Sequence, residues 1–278
     1  MKKISVITPC YNAEKYILET FESVVTQTAI TSKKLELEYI ICDGHSSDGT
    51  LEILKKLKSR YSDFNIIIIS EKDKGMYDAL AKGLIKASGD YCAYINAGDF
   101  YSKTAFEVVL ELFNDSKINW LTGFNVVYNQ NSQVVYCVLP FKYSSRLIRR
   151  GLYNGKFLPF IQQESTFWRT SLNKNLNFEK LSNYKFAGDY FIWNEFAKIT
   201  NLYIVESYLG GFKVHRGQLS ENLSKYLEEV RAISQNPDLF DYLQAIFYRF
   251  MWQMPPIIKK FFNNNRLFRF DFASQQWH

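Results

Sequence analysis

The chain has 278 residues, of which 47% are hydrophobic and 22% charged, with a net charge of +6. This length allows one large domain or two small ones with a self-sufficient core, and the composition excludes a disordered or fibrous chain. The positive charge is too mild and diffuse to suggest a nucleic-acid partner, and none is expected.

In chain order, residues 1–115 alternate between two periods. Ile4 to Ile7 is a short apolar run ended by Pro9 and predicts a buried strand. Residues 14–28 place Tyr16, Ile17, Phe21, Val24 and Val25 at helical spacing. A second strand is expected at 39–42 and a second helix from Thr50, with Asp48 as its N-cap. A third strand follows at 66–69 and a third helix at 76–87, closed by Gly89. The fourth pair falls at 91–95 and 103–113. Such alternation predicts an α/β fold with a mostly parallel sheet covered on both faces.

The second half is less regular. Residues 119–128 and 133–139 predict a hairpin around Asn129 to Ser132. Residues 141–160 predict a loop or short helix carrying Arg146, Arg149 and Arg150. Helix is expected at 188–199, extended chain at 202–214, and helix again from 220. The simplest division is one domain over 1–230 with a helical C-terminal extension over 231–278.

Cys10, Cys42, Cys92 and Cys137 form no CxxC pair, and histidine occurs only as His45, His215 and His278. A zinc cage and a disulfide framework are both disfavoured, and a reducing compartment is expected. Met1-Lys2-Lys3 is followed by only a few apolar residues, too few for a signal peptide. No run of about 18 apolar residues occurs, so the expectation is a cytoplasmic protein without a spanning helix. The tail from Tyr242 to His278 carries five Lys or Arg residues against the single acid Asp271 and is dense in aromatics. It reads either as an element lying on the inner face of the cell membrane or as a helical pair closing the core or a dimer interface. Pro255-Pro256 interrupts its helical period.

In parallel α/β sheets, ligands bind beyond the carboxyl ends of the strands. Four polar loops fall there: Thr8 to Asn12, Asp43 to Thr50, Glu71 to Asp78, and Asn96 to Asp99. Each loop alone is ordinary turn chemistry, but four on one rim point to a site. GxGxxG, GxxxxGK[ST] and GxSxG are absent, which disfavours a dinucleotide-binding domain, a P-loop and an α/β-hydrolase.

These segments resemble those of family 2 glycosyltransferases, inverting nucleotide-sugar enzymes of GT-A fold. The resemblance rests on Ser5 to Asn12, Asp43 to Thr50, Glu71 to Ala79 and Tyr94 to Asp99, then on Gln162 to Arg169, Ala187 to Tyr190 and His215 to Ser220. It covers about residues 1–230 and is specific through the order of the segments.

The resemblance implies roles. Thr8, Pro9 and Tyr11 would line the base pocket, Asp43 would bind the nucleobase, most often uracil, and Asp73 would lie near the nucleotide or donor sugar. The family's metal-side carboxylates align with Asn96 and Gly98, so Asp99 becomes the candidate ligand for Mg²⁺ or Mn²⁺, with Asn96 touching metal or sugar. His215 would be a further ligand or phosphate contact, or simply a loop histidine. Asp189 would be the general base, or alternatively a helix N-cap. Gly188 stands where the family has a partner glutamate. Glu164 would bind the acceptor, or else be a strand-end charge near Arg169. The implied reaction moves a hexosyl or N-acetylhexosaminyl group from a UDP-linked donor to a surface-glycan or polyprenyl-diphosphate-linked acceptor. The alternatives are a nucleotidyltransferase, disfavoured by the lack of a basic Gly-rich loop after the first strand, and a degenerate domain that binds nucleotide-sugar or scaffolds a partner without catalysis.

Overall fold

A computed structural model describes residues 1–214, 218, 221–263 and 266–278. The first half follows the predicted alternation: β1 (Lys3–Cys10), α1 (Ile17–Val25), α2 (Thr28–Thr31), β2 (Glu36–Asp43), α3 (Thr50–Arg60), β3 (Asn65–Ser70), α4 (Met76–Lys86), β4 (Tyr91–Tyr94), β5 (Phe100–Tyr101) and α5 (Ala105–Leu112). Then come β6 (Trp120–Thr122), β7 (Asn125–Tyr128), β8 (Val134–Val138), α6 (Ser145–Arg149), β9 (Thr166–Arg169), α7 (Phe178–Asn183), α8 (Gly188–Phe196), β10 (Tyr203–Val205) and β11 (Gly210–Lys213). The chain closes with α9 (Leu223–Ile233), α10 (Leu239–Gln253), α11 (Pro256–Phe262), β12 (Leu267–Phe268), β13 (Phe270–Asp271) and β14 (Gln276–Trp277).

Among the described residues an eight-stranded sheet runs in the order β12-β10-β6-β9-β4-β1-β2-β3. All its neighbours are parallel except β9, which is antiparallel to both β4 and β6. Side chains alternate across β1. Ile4 and Val6 join one core with α1, α3 and α5, while Ile7 joins the other with α4 and α8. The chain winds outward from β1 through β2 to β3, then returns to place β4 on the other side of β1. This reversal opens a crevice at the carboxyl ends of β1 and β4, the usual ligand position in open α/β sheets.

Several local expectations need correction. The first strand is longer than its apolar run and carries Pro9 within its pairing with β2, because the β4 partner stops at Ile7 and leaves that edge of Pro9 free. The predicted strand 119–128 is two strands. It breaks at Gly123-Phe124, where β6 stays in the main sheet and β7 leaves to form a second sheet, β5-β11-β7-β8. The extended stretch 202–214 divides the same way between β10 and β11.

The tail is not only helical. The inner face of α10 packs Ala245, Tyr248, Met251 and Trp252 into the core, and β12 pairs with β10 at the edge of the main sheet. Asp238 and Asp241 form a capping box at the start of α10. Arg146 Nε reaches Asp241 at 2.5 Å and Arg150 Nε at 3.1 Å, which ties α10 to α6 and accounts for two of the three arginines of that stretch. Pro256 opens α11 at a position where a missing N–H costs nothing.

Candidate functional site

The rim formed by the loops after β1, β2 and β3 is built by polar hydrogen bonds within and between those loops. Asp43 ends β2, buried, and its carboxylate accepts the Ser46 N–H at 3.2 Å, the Ser70 hydroxyl at 2.7 Å and the Ser46 hydroxyl. The loops after β1 and β2 are stitched together, with Asn12 N–H donating to Ser46 Oγ at 2.8 Å and Ser47 N–H to Asn12 Oδ1 at 2.9 Å. Asp48 accepts from the Thr50 N–H and hydroxyl; these bonds outweigh burial, which would raise its pKa, and hold it below the usual carboxylate range. Gly49, not Asp48, occupies the N-cap position; Asp48 stands one residue earlier and bonds the first helical residue instead.

Asp73 is held by the Gly75 N–H at 2.8 Å, and burial raises its pKa. A Cβ on Gly44 would sit 2.6 Å from the Asp73 carboxylate, so only glycine lets the second and third loops close together. Tyr11 is 64% exposed and offers its ring to solvent. Thr8 and Pro9 are buried. The Thr8 hydroxyl shares a 3.0 Å hydrogen bond with Tyr39 OH inside the core and does not present its side chain to the rim.

Beside this rim lies a largely apolar cavity of about 710 Å³, within the size range of ligand sites. Asn96, Asp99, Glu164 and Asp189 all face it, so four of the expected residues from three distant segments meet on one wall. His215 lies outside the described residues.

Asp189 is the second residue of α8, within its first turn, while Ala187 holds the N-cap position. Its Oδ1 accepts from the Tyr190 N–H at 2.7 Å and from Tyr77 OH at 3.3 Å. Burial pushes its pKa up to about 7, and the nearby Glu164 adds to this against the two donors. The carboxyl is therefore poised near neutrality, where a proton acceptor works best.

Residues with no role in the sequence reading hold it there. Tyr77, from α4, also donates to Phe186 O at 3.1 Å. Its ring fills the space beside Gly188, where an added Cβ would come within 2.4 Å of it. The position at which the resemblance implies a glutamate thus has no room for one. Glu229, on α9, accepts from the N–H groups of Lys185, Phe186 and Ala187 at 2.9, 3.0 and 2.7 Å. One carboxylate satisfies three donors ahead of α8 and fixes the start of that helix. Nothing local in the sequence signals this, since Glu229 looks like any helical surface acid. Tyr77 did carry a signal, because it lies in the segment Glu71 to Ala79.

Asp99 is almost completely buried, accepts the Lys213 N–H at 2.8 Å, and lies beside the Glu164 carboxyl. Burial raises both pKa values, and the Glu164 carboxyl raises that of Asp99 further, while the hydrogen bond between the two acids works against the rise at Glu164. Arg169 is turned away, donating to Ile118 O and Phe113 O, and is not the partner of Glu164. Asn96 Oδ1 is buried without a hydrogen-bond partner on the same cavity. Among the described residues no cluster of three His, Cys, Asp or Glu could enclose a metal. Two carboxyls and an orphan amide oxygen nevertheless fit a hard divalent cation whose remaining ligands are phosphate oxygens and water.

Comparison with known proteins agrees with this geometry. The profile of glycosyl transferase family 2 matches residues 5–187. The Escherichia coli UDP-Glc:alpha-D-GlcNAc-diphosphoundecaprenol beta-1,3-glucosyltransferase WfgD is 27% identical over 193 residues, 64% of this chain and 73% of that one. Staphylococcus aureus TarS 1–349 in complex with UDP-GlcNAc superposes with a TM-score of 0.62 at 16% identity, covering 92% of this chain and 77% of that one. In another TarS structure the match spans only 43% of the chain. The mannosyltransferase PcManGT from Pyrobaculum calidifontis, in complex with GDP-Man and Mn²⁺, gives 0.57 at 16% identity over 88% and 69% of the two chains. The chain is a member of glycosyl transferase family 2, with the α/β architecture of GT-A glycosyltransferases.

Proposed function

We propose that the protein is an inverting glycosyltransferase, with Asp189 as its general base. The observation that carries this reading is the Asp189 carboxyl, anchored on a cavity wall with its pKa raised to about 7. The donor is a nucleotide-sugar, UDP-linked, with Tyr11, Asp43 and Asp73 on the nucleotide side and Asn96 and Asp99 near the diphosphate. The acceptor is a hydroxyl of a surface glycan or a lipid-diphosphate-linked oligosaccharide, bound near Glu164. WfgD's action on a diphosphoundecaprenol substrate supports that class.

In the transfer, Asp189 takes the acceptor hydroxyl proton as that oxygen attacks the anomeric carbon from the face opposite the diphosphate. The C1–O bond breaks, its electron pair leaves with the diphosphate, and configuration inverts. Asp99 and Asn96 would hold a Mg²⁺ or Mn²⁺ ion, which supplies neutralisation of the leaving diphosphate. Aromatic cavity residues such as Tyr136, Phe160 and Trp252 offer apolar faces to sugar rings and exclude water from the reacting centre.

The test is a panel of UDP-, GDP-, CMP- and dTDP-sugars scored by thermal shift with and without Mn²⁺. Stabilisation by one UDP-sugar that grows with Mn²⁺ supports the donor class and the cation. Stabilisation by none of the panel contradicts the reading.

A further inference from the structure

Helix α10 is amphipathic in an unusual sense, because both of its long faces are apolar. Its inner face, Ala245, Tyr248, Met251 and Trp252, belongs to the core. On the opposite face Leu239, Phe240, Leu243, Ile246, Phe247 and Phe250 are all exposed, Leu239 to 76% and Phe250 to 57%. These six follow helical spacing and fall within an arc of about 120° at 100° per residue. Helix α11 continues the apolar surface with Ile257 and Phe261, the latter 81% exposed. Proteins that stay in water rarely leave a contiguous apolar surface of this kind uncovered.

The charge around this face is one-sided. No Asp or Glu occurs between Tyr242 and Asn263. Asp241, at the start of α10, is buried and paired with Arg146 and Arg150, and the exposed N-cap Asp238 is paired with Arg146 Nη2 at 2.7 Å. The exposed charges of the two helices are Lys260 and Arg249, whose Nη1 donates to Lys156 O at 2.8 Å, while Lys259 is buried with its ammonium on Leu139 O at 2.8 Å. Two copies of this face meeting each other would bring cations together with no carboxylate on either helix that is not already paired within its own chain. A surface of anionic lipid phosphates complements both features, taking the rings into its acyl boundary and the cations among its headgroups.

We propose that the outer face of α10 and α11 docks on an anionic phospholipid bilayer. The same helix lines the cavity through Trp252 on its inner face and through Arg249 and Gln253 on the flank between its buried and exposed faces. Docking therefore sets the cavity beside the membrane surface, where the sugar end of a lipid-anchored acceptor would stand. The docking itself does not depend on the transfer reaction.

Flotation of the full chain with phosphatidylcholine vesicles, with and without phosphatidylglycerol, tests this. The wild type is expected to float with the phosphatidylglycerol vesicles at least about tenfold more strongly than with phosphatidylcholine alone, and less so in high salt. The double variant Leu243→Glu/Phe250→Glu should lose about tenfold or more of that binding, and so should Phe261→Glu on α11. Both changes replace exposed side chains, so melting temperature and circular dichroism should stay at wild-type values. Absence of wild-type flotation, equal flotation with both vesicle types, or folded variants that float like the wild type would each overturn the proposal. A wild-type dimer that Leu243→Glu/Phe250→Glu splits, with no vesicle binding, would overturn it in favour of a second copy of the chain. None of these outcomes bears on glycosyl transfer, which is assayed separately with a water-soluble acceptor.

Discussion

The rim and the cavity wall lie at the same edge of one sheet, yet they hold their carboxylates to different effect. On the rim, near and distant donors combine: Asp43 is bonded by Ser46, three residues away, and by Ser70, 27 away, and Asp48 by Thr50, two away, and by the Glu14 N–H, 34 away. On the wall each acid has fewer donors. Asp189 is held by the adjacent Tyr190 N–H and by Tyr77, 112 residues away, and Asp99 by the backbone of Lys213, 114 away. The chemical consequence also differs. Asp48 gains enough hydrogen bonds to outweigh burial, whereas Asp189, Asp99 and Glu164 do not, and their pKa values rise. A rim of hydrogen-bonded loops suits binding, and a wall of underpaired acids suits moving a proton.

The comparison breaks most visibly at Asp189. Asp189→Asn removes the proton acceptor but keeps the shape, so transfer should fall by about 10² to 10⁴ while donor binding is retained. Single-turnover rates beside donor affinity check this, and unchanged transfer would remove Asp189 from the mechanism. Asp43→Ala should act in the other sense. Losing bonds to a charged group, each worth about 1.5–3 kcal/mol, should weaken donor binding roughly 10- to 100-fold. Its kcat at saturating donor should stay near the wild-type value, and a fall in kcat instead would place Asp43 on the wall side of the division.

Glu229→Gln sharpens the same contrast. It meets the cavity lining through the backbone N–H of Phe186, and the change leaves the three N–H groups before α8 with a neutral acceptor in place of a carboxylate. The expected result is a fall in kcat of about tenfold with little change in donor KM, and a loss of about 1–3 kcal/mol in unfolding free energy. Equal loss of donor binding would show that the rim depends on α9 as well.

The remaining effect is on stability against pH. Folding raises the Asp189 pKa from 3.8 to about 7, so the folded chain holds a proton that the unfolded chain releases. The associated stability is present below the unfolded pKa and is lost as pH rises through about 7. Chemical denaturation across that window should show a steeper loss for the wild type than for Asp189→Asn. Parallel curves would mean that burial does not shift this group.

The same contrast explains what the sequence revealed. The rim was legible as a segment because Asp43 to Thr50 carries both acceptor carboxylates and part of the donors that fill them; Ser70 and the Glu14 N–H, which complete the set, lie outside it and were not foreseen. The alternation of strands and helices in residues 1–115 was legible for a similar reason, since each period is set by contiguous residues. The wall was legible only as separate fragments. Asp99, Glu164 and Asp189 could each be singled out, but not their meeting on one cavity, nor Tyr77 and Glu229, whose partners lie across the fold. Strand breaks at Gly123 and between β10 and β11 were hidden because a chain that changes sheets keeps its β period. The ending of the tail in β12 was hidden because two residues carry no period at all.

The pH dependence of kcat/KM for transfer is the most direct test of the central claim, that burial tunes Asp189 into a base at neutral pH. A base must be deprotonated to act, so the rate should climb with pH and level off above an apparent pKa of about 7. That limb should vanish from the residual activity of Asp189→Asn. A profile already flat from about pH 5 upward would mean that the carboxyl keeps an ordinary pKa, and would contradict the account.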